Sequence, residues 1–447
     1  MPVARRTGLP LQKEYDGYCT LYQQHSARKC DSGVERTVDG SSICERKERF
    51  WKMKHAVSNV MNEILFVLLF VRMRLVHRQT LNTKGILLIR FSHIGDFVLW
   101  LDAAKEFRHI YPEEKITFVC DRYKDVCMLA EKTGYFDEVI VLRTRGIGRI
   151  FGIFKAMRLK CRIVINADPS RTVLSDLIVL AVQAQERIAQ KADTTRMSKR
   201  QVRRSDGVYH RIIRCGGIHT MELIRNAQFI RGLSKDNTFC AAVPQIAPLL
   251  PQSEVRKTLH LPDRYFVLCP GGEVPQKYWD AKKYAAVLNK IFAQERSLYC
   301  IVVGTTGEEN ELQKICQHIN TVEKKRILSR IGKTSLIDYI ELIRCAAFLL
   351  SNDTSAAHIA AATGTQAVVI AQSWDWGRFY PYRVEQHIQK QCCPRSVHAH
   401  KACAGCAAYG IRPGRFPCLV DGRVLCIRQI MVEQVMAQVR QVLETRQ

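Results

Sequence analysis

Four groups of residues in this chain carry side chains able to bind or react with a ligand. The first is Ile86-Leu87-Leu88-Ile89-Arg90-Phe91-Ser92-His93-Ile94-Gly95-Asp96. An apolar strand runs into a glycine turn, and a carboxylate follows where a helix would begin. Open α/β folds bind ligands in the crevice at the carboxyl ends of parallel strands, so Asp96 is placed to meet one; a turn residue capping the following helix is the alternative reading. The second group is Asn352-Asp353-Thr354-Ser355-Ala356-Ala357-His358, which opens an alanine-rich helix. Backbone N–H groups at such a helix start suit a phosphate. Thr354 can donate its hydroxyl there, and an ordinary N-cap is the alternative reading. The third is Pro270-Gly271-Gly272-Glu273-Val274-Pro275-Gln276-Lys277-Tyr278-Trp279. A lysine after a glycine turn can set its ammonium on a phosphate and steady the charge of a departing group. A solvated lysine is the alternative, and Trp279 is expected to pack behind the loop. The fourth is Cys403-x-x-Cys406 with Cys418 and Cys426, a spacing that suits four thiolates on zinc or iron. Unligated thiols and a disulfide compete with it. Glu308 closes a further strand end, where a carboxylate can accept ribose hydroxyls or simply face solvent.

The elements that must position these residues alternate strand and helix. Strand 86–90 leads to a helix over 96–110, strand 116–120, a helix, strand 138–142, helix 147–159 and strand 162–166. Segment 190–214 is polar and basic and reads as a mobile loop, before a helix over 219–233. Pro244, Pro248 and Pro251 mark a linker near 235–260. A second alternation then runs from strand 265–269 through helix 280–293, strand 298–303, helix 307–318, a short strand near 327, helix 335–345, strand 348–351, helix 355–363 and strand 366–370. Alternation of this kind builds parallel sheets with helical crossovers. The expected division is an extension at 1–83, an α/β domain at 84–245, a second at 246–391, and a cysteine-rich segment with a last helix at 392–447. The last helix, about 430–445, is expected to cross back onto the first domain.

The chain has 447 residues, enough for two domains, and a formal net charge of +26. Such a charge favours anionic partners (nucleic acid, an acidic membrane surface or a phosphorylated substrate), with solubility alone as the alternative reading. Mean hydropathy is −0.13, ordinary for a globular chain. Most of the 18 cysteines, among them Cys120, Cys161, Cys269, Cys300 and Cys345, stand singly in apolar segments, a pattern of buried reduced thiols and a cytoplasmic location. The longest apolar run, Ile64 to Val71, is shorter than the ~20 residues a bilayer crossing needs. With Arg72, Arg74, His77 and Arg78 beside it, it reads either as a helix lying on an anionic inner-membrane surface or as one packed on the first domain. No Gly-x-Gly-x-x-Gly follows either opening strand, which argues against a dehydrogenase.

The strand and turn ending at Asp96 resemble the opening of glycosyltransferase family 9, the ADP-heptose:lipopolysaccharide heptosyltransferases. The 353–358 segment resembles that family's Asp-Thr-Gly-x-x-His motif, with Ser355 where the family has glycine. The 271–279 segment resembles its glycine-x-x-x-x-Lys-x-Trp pattern. Gly332-Lys333-Thr334-Ser335-Leu336 resembles a family loop near the adenine. The resemblance runs over about 84–430. It implies a GT-B fold, two Rossmann-like domains facing one cleft. It implies an inverting enzyme that needs no metal for transfer from ADP-heptose to lipopolysaccharide core. Asp96 would be the base and Lys277 the clamp on the leaving diphosphate. Gly271, Gly272, Glu308, Asp353, Thr354, Ser355 and Ala356 would line the nucleotide-sugar site, and Ser92 and His93 would meet the acceptor. Some relatives that heptosylate autotransporter proteins hold iron on four cysteines, with a different spacing. Two alternatives stand beside this reading: the same chemistry on a protein acceptor, or a non-catalytic protein binding nucleic acid through its charge and a cysteine knuckle. The resemblance itself leads to no expectation of nucleic acid.

Overall fold

The apolar runs form strands buried on both faces, the mark of a parallel sheet covered by helices. The computed structural model describes residues 60–75 and 83–445, except 122–123, 145, 147, 375, 386–391 and 400–417. In the first half, β1 (Ile86–Ile89), β2 (Ile116–Cys120), β3 (Glu138–Val141), β4 (Lys160–Asn166), β5 (Gln183–Gln190) and β6 (Arg211–Ile213) form one sheet in the order β3-β2-β1-β4-β5-β6. In the second, β7 (Tyr265–Cys269), β8 (Tyr299–Val302), β9 (Ile327–Ser329), β10 (Leu349–Asn352), β11 (Ala367–Ile370) and β12 (Arg395–Val397) form another, in the order β12-β11-β10-β7-β8-β9. Every pairing in both sheets is parallel. The two sheets share one connectivity, so each reverses its strand order once: between β1 and β4, and between β7 and β10. Ligand crevices of open α/β sheets lie at the carboxyl ends of strands flanking such a reversal.

Three expectations about helices and loops are corrected. The helix expected over 96–110 is two helices, Ile94–Val98 and Leu101–Ile110. They part at Leu99 and Trp100, because Trp100 turns inward, almost wholly buried against Phe97, Phe107 and Phe118. The segment expected as a loop over 190–214 holds a helix, Lys199–Asp206, and strand β6. Ser198 and Gln201 cap that helix reciprocally, and its Val202 is buried. The last helix, Val432–Glu444, lies on the second sheet rather than the first. Its Val435, Met436, Val439 and Val442 pack with Leu288, Ile291, Val368 and Ile370.

The linker also contains a short helix, Gln252–Thr258. Cys120 is not a lone thiol: it is disulfide-bonded to Cys127. The strand end at Cys120 and the helix that follows bring the two together across one short turn. Cys161, Cys269 and Cys300 are buried thiols, and burial pushes Cys161 up to about 12 and Cys269 to about 11. Residues 60–75 form a helix that packs on the first sheet's outer face through Leu65, Phe66, Leu69 and Phe70. Arg72 ties it down by donating to the carbonyls of Met157 and Ala181.

Candidate active site

The turn after β1 rests on a buried arginine. Arg90 is about 1% exposed. It donates to the Ala167 carbonyl at 2.8 Å and the Asp96 carbonyl at 3.3 Å, and lies 3.6 Å from the wholly buried Glu222. The guanidinium thus joins the ends of β1 and β4 and pins the peptide of Asp96. Asp96 itself lies in the first turn of helix Ile94–Val98, half-buried. Ser92 is buried, and its hydroxyl has no hydrogen-bond partner among the described residues. His93 is half-exposed, with Nδ1 3.7 Å from the Glu273 carboxylate of the facing loop. Asp168, just beyond β4, is a second carboxylate close by. Burial raises its proton affinity, the Asp96 charge adds to the rise, and Arg196 and Arg90 oppose it.

The other wall is built at the reversal between β7 and β10. Asn352, nearly fully buried, ends β10 and acts as a clip. Its amide donates to the carbonyl of Pro270, while its oxygen accepts from Tyr284 Oη at 3.0 Å and the Trp279 N–H at 3.4 Å. Glu308 is not on the surface. Its carboxylate is buried beneath the glycine turn, accepting the Gly272 N–H at 2.6 Å and the Thr305 N–H at 2.9 Å. Burial raises its proton affinity, and the two N–H groups pull it back. A Cβ at Gly271 would fall 2.3 Å from Glu308 Cδ, so only glycine leaves room for this carboxylate.

Lys277 ends a 3-10 turn, Pro275–Lys277, with its ammonium 4.5 Å from the centre of the Trp374 ring. A cation held on an aromatic face keeps its charge while losing some freedom. Trp279 is fully buried behind the loop and donates through Nε1 to the Ile430 carbonyl at 3.1 Å. Asp353 accepts from Gln372 at 3.0 Å. Thr354 stands at the N-cap of helix Ser355–Thr363, and its side chain caps nothing. The Thr354 hydroxyl points instead toward Cys269 Sγ, at 3.8 Å. The first-turn N–H groups of a helix have no intrahelical acceptor and carry its positive end.

The two walls meet at Gly95. A Cβ there would lie 3.1 Å from His358 Cδ2 and 3.4 Å from Ser355 Cα. Helix Ile94–Val98 of one half therefore touches the start of helix Ser355–Thr363 of the other, and Asp96 stands one residue from that contact. His358 is buried, its Nδ1 2.7 Å from Tyr382 Oη, with its ring stacked on Tyr380 and Tyr382. Burial lowers its proton affinity, which the charges of Asp353, Asp96 and Glu222 oppose. The free N–H groups at the start of helix Ser355–Thr363 can hold an anion, and Asp96 stands in the helix that touches this start.

Sequence reasoning assigned no role to Arg90, Asp168, Asn352, His358 or Arg378. Arg378 crosses between the halves: it pairs with Glu222 at 3.2 Å and donates to Ser170 Oγ at 3.0 Å. The readable signal was Trp374-Asp375-Trp376-Gly377-Arg378-Phe379-Tyr380, a dense aromatic run directly after a strand. Of the proposed metal ligands, Cys403 and Cys406 lie outside the described residues. Cys426 is buried and accepts from the Ser373 N–H at 3.4 Å, and Cys418 is half-buried. Among the described residues no group of three or more His, Cys, Asp or Glu is placed to hold a metal.

Comparison with known proteins agrees with this architecture. The model of "Glycosyltransferase family 9 (heptosyltransferase)" matches residues 231–405. No curated protein sequence matches the chain. A glycosyl transferase family 9 structure from Veillonella parvula is 17% identical, with a TM-score of 0.61, over 82% of this chain and 99% of its own. E. coli ADP-heptose lipopolysaccharide heptosyltransferase II is 16% identical, with a TM-score of 0.58, over 81% of this chain and 99% of its own. E. coli heptosyltransferase WaaC, solved with ADP-2-deoxy-2-fluoro heptose, is 13% identical, with a TM-score of 0.53, over 80% and 99%. The chain shares their fold of two parallel six-stranded sheets, and its residues 231–405 match the model of glycosyltransferase family 9.

Proposed function

We propose that this cleft transfers heptose from ADP-heptose to an anionic lipopolysaccharide core by direct, inverting displacement. The observation that supports the reading is the contact of Gly95, the residue before Asp96, with Ser355 and His358 of helix Ser355–Thr363. In the reaction an acceptor hydroxyl oxygen attacks the anomeric carbon while Asp96 takes its proton. The bond from that carbon to the diphosphate oxygen breaks, and ADP leaves with the electron pair. Lys277 and the N–H groups of Ser355 and Ala356 stabilise the charge that grows on the diphosphate. One base and one anion clamp on opposite sides of the anomeric carbon suffice for a single displacement, so configuration inverts. Ser92 and His93, on the Asp96 side, meet the acceptor. Glu308 fixes the glycine turn by accepting the N–H groups of Gly272 and Thr305.

A net charge of +26 supports an acceptor rich in phosphates and carboxylates. The similar fold that holds a fluorinated ADP-heptose supports the donor. The test is ADP release by the purified full chain, with ADP-heptose alone and with heptose-deficient lipopolysaccharide added. Release that requires both is expected. Donor binding with no release on that acceptor would favour a protein acceptor, and absence of donor binding would overturn the assignment of ADP-heptose. Zinc or iron on Cys403, Cys406, Cys418 and Cys426 is a separate proposal with no part in transfer, tested by metal analysis of the purified chain.

A further inference from the structure

The outer face of the first domain carries an apolar ridge that the rest of the described protein leaves uncovered. Helix 60–75 buries one side on the sheet, yet Val60, Ile64, Val67, Leu68, Val71 and Leu75 are each more than half exposed. Their spacing of three and four residues makes them one continuous stripe. Beside it, helix Gly148–Ala156 packs into the same cluster through Ile153 and Ala156 while Phe151 and Phe154 stand 61% and 57% exposed. Eight of the twelve large apolar side chains exposed among the described residues therefore lie on these two neighbouring helices. Large contiguous apolar surfaces on a folded protein mark a site of interaction.

The rim of this ridge is positive. Helix Lys199–Asp206 adjoins helix 60–75, with Arg204 over the Phe66 ring at 4.1 Å and ion-paired to Glu63. Helices 60–75, 148–156 and 199–206 carry two, two and four lysines and arginines, eight in all, against two carboxylates. Both carboxylates are already paired: Glu63 with Arg204, and Asp206 with Arg171 and Lys191. Lys199, Arg200 and Arg203 point to solvent. The basic segment runs on from here to Arg196, whose charge acts on Asp168 beside the cleft. A second copy of this face would bring two positive rims together, which disfavours self-association. No described helix is long and apolar enough to cross a membrane.

We infer that this face docks on the surface of an anionic lipid bilayer, with helix 60–75 lying in the plane of the headgroups. Val67, Leu68 and Val71 enter the acyl boundary with Phe151 and Phe154, and Arg200 and Arg203 meet lipid phosphates. The solved relatives are matched over 99% of their length by only 81–82% of this chain, so a fifth of it is additional to the shared fold. The inference is read from this outer face alone and does not rest on the proposed reaction.

The test is flotation of the full chain with vesicles of phosphatidylethanolamine and phosphatidylglycerol, against vesicles of phosphatidylcholine alone. The wild type is expected to float with the anionic vesicles, less at 0.5 M salt, and to stay behind with phosphatidylcholine. A Val67→Glu/Leu68→Glu/Val71→Glu variant, altered only at exposed positions, should lose binding with an unchanged melting temperature. Arg200→Glu/Arg203→Glu should weaken binding on the order of ten-fold or more. Wild-type protein that does not float, or triple-glutamate protein that floats equally well, overturns the inference. A dimer seen by light scattering that the triple variant dissolves, without flotation, overturns it in favour of self-association.

Discussion

Replacing Gly95 by alanine tests whether the two halves really close on each other there. The added methyl carbon would stand 3.1 Å from His358 Cδ2, 3.4 Å from Ser355 Cα and 3.6 Å from Ser355 Cβ. Carbon atoms sit comfortably at about 3.5–4.0 Å, so the shortfall against His358 is roughly half an ångström. The imidazole has nowhere to go, being buried, bonded to Tyr382 and stacked on Tyr380. Relief has to come from parting helices Ile94–Val98 and Ser355–Thr363, which moves Asp96 away from the anion site. Overpacking costs about 1–3 kcal/mol, and alanine in place of helical glycine returns up to about 1 kcal/mol, leaving a net loss of about 1 kcal/mol. Catalysis suffers more, because a misplacement of about 1 Å between reacting groups can cost ~100-fold; roughly half that shift corresponds to a loss of about ten-fold. The assay is kcat/KM for acceptor-dependent ADP release together with the melting temperature. Gly217→Ala serves as the control, since no atom lies within 4 Å of its added Cβ. Wild-type turnover and melting temperature in Gly95→Ala would refute the contact.

Three further outcomes are expected. Burial holds His358 below its ordinary proton affinity, so on acidification the unfolded chain protonates first. Stability should be flat above about pH 6.5 and fall as pH drops from there toward the folded-state value; melting temperatures across pH 5–8 should show this, with a shallower slope in His358→Gln. Arg378→Ala removes one of the cations on the fully buried Glu222, leaving Arg90 and Arg225, each at 3.6 Å. It should lower stability by about 3 kcal/mol in denaturant melts, while Arg378→Lys should recover part. Lys277→Ala should reduce kcat by about 100-fold or more with the fold intact by circular dichroism, as expected for a cation that acts on the leaving group.

Much of the fold was legible because strands buried on both faces read as unbroken apolar runs, and β2 and β7 coincide with the runs at 116–120 and 265–269. The Asp96, Lys277 and Thr354 turns were legible because each follows such a strand directly. What was hidden depends on tertiary contacts. Helix Lys199–Asp206 was masked by its charge, although Ser198 and Gln201 form the capping pair that starts it. The break at Trp100 needs the aromatic pocket of Phe97, Phe107 and Phe118 to exist first. Glu308 reads as a surface carboxylate until Gly271 and Gly304, both lacking a Cβ, open the space it fills. The pairing of Cys120 with Cys127 and the docking of helix Val432–Glu444 on the second sheet are likewise set by how neighbouring elements pack.

In the proposed reaction Asp96 removes the acceptor's proton while the opposite wall holds the leaving diphosphate. Its most direct test is acceptor-dependent turnover of Asp96→Asn, with ADP affinity measured on the same protein by calorimetry. Asparagine keeps the size and polarity of the side chain and removes only its basicity. The expected kcat is lower by about 10²–10⁴-fold, the range of a positioned general base, with ADP affinity unchanged. Turnover within a few-fold of wild type, with ADP still bound, would contradict it.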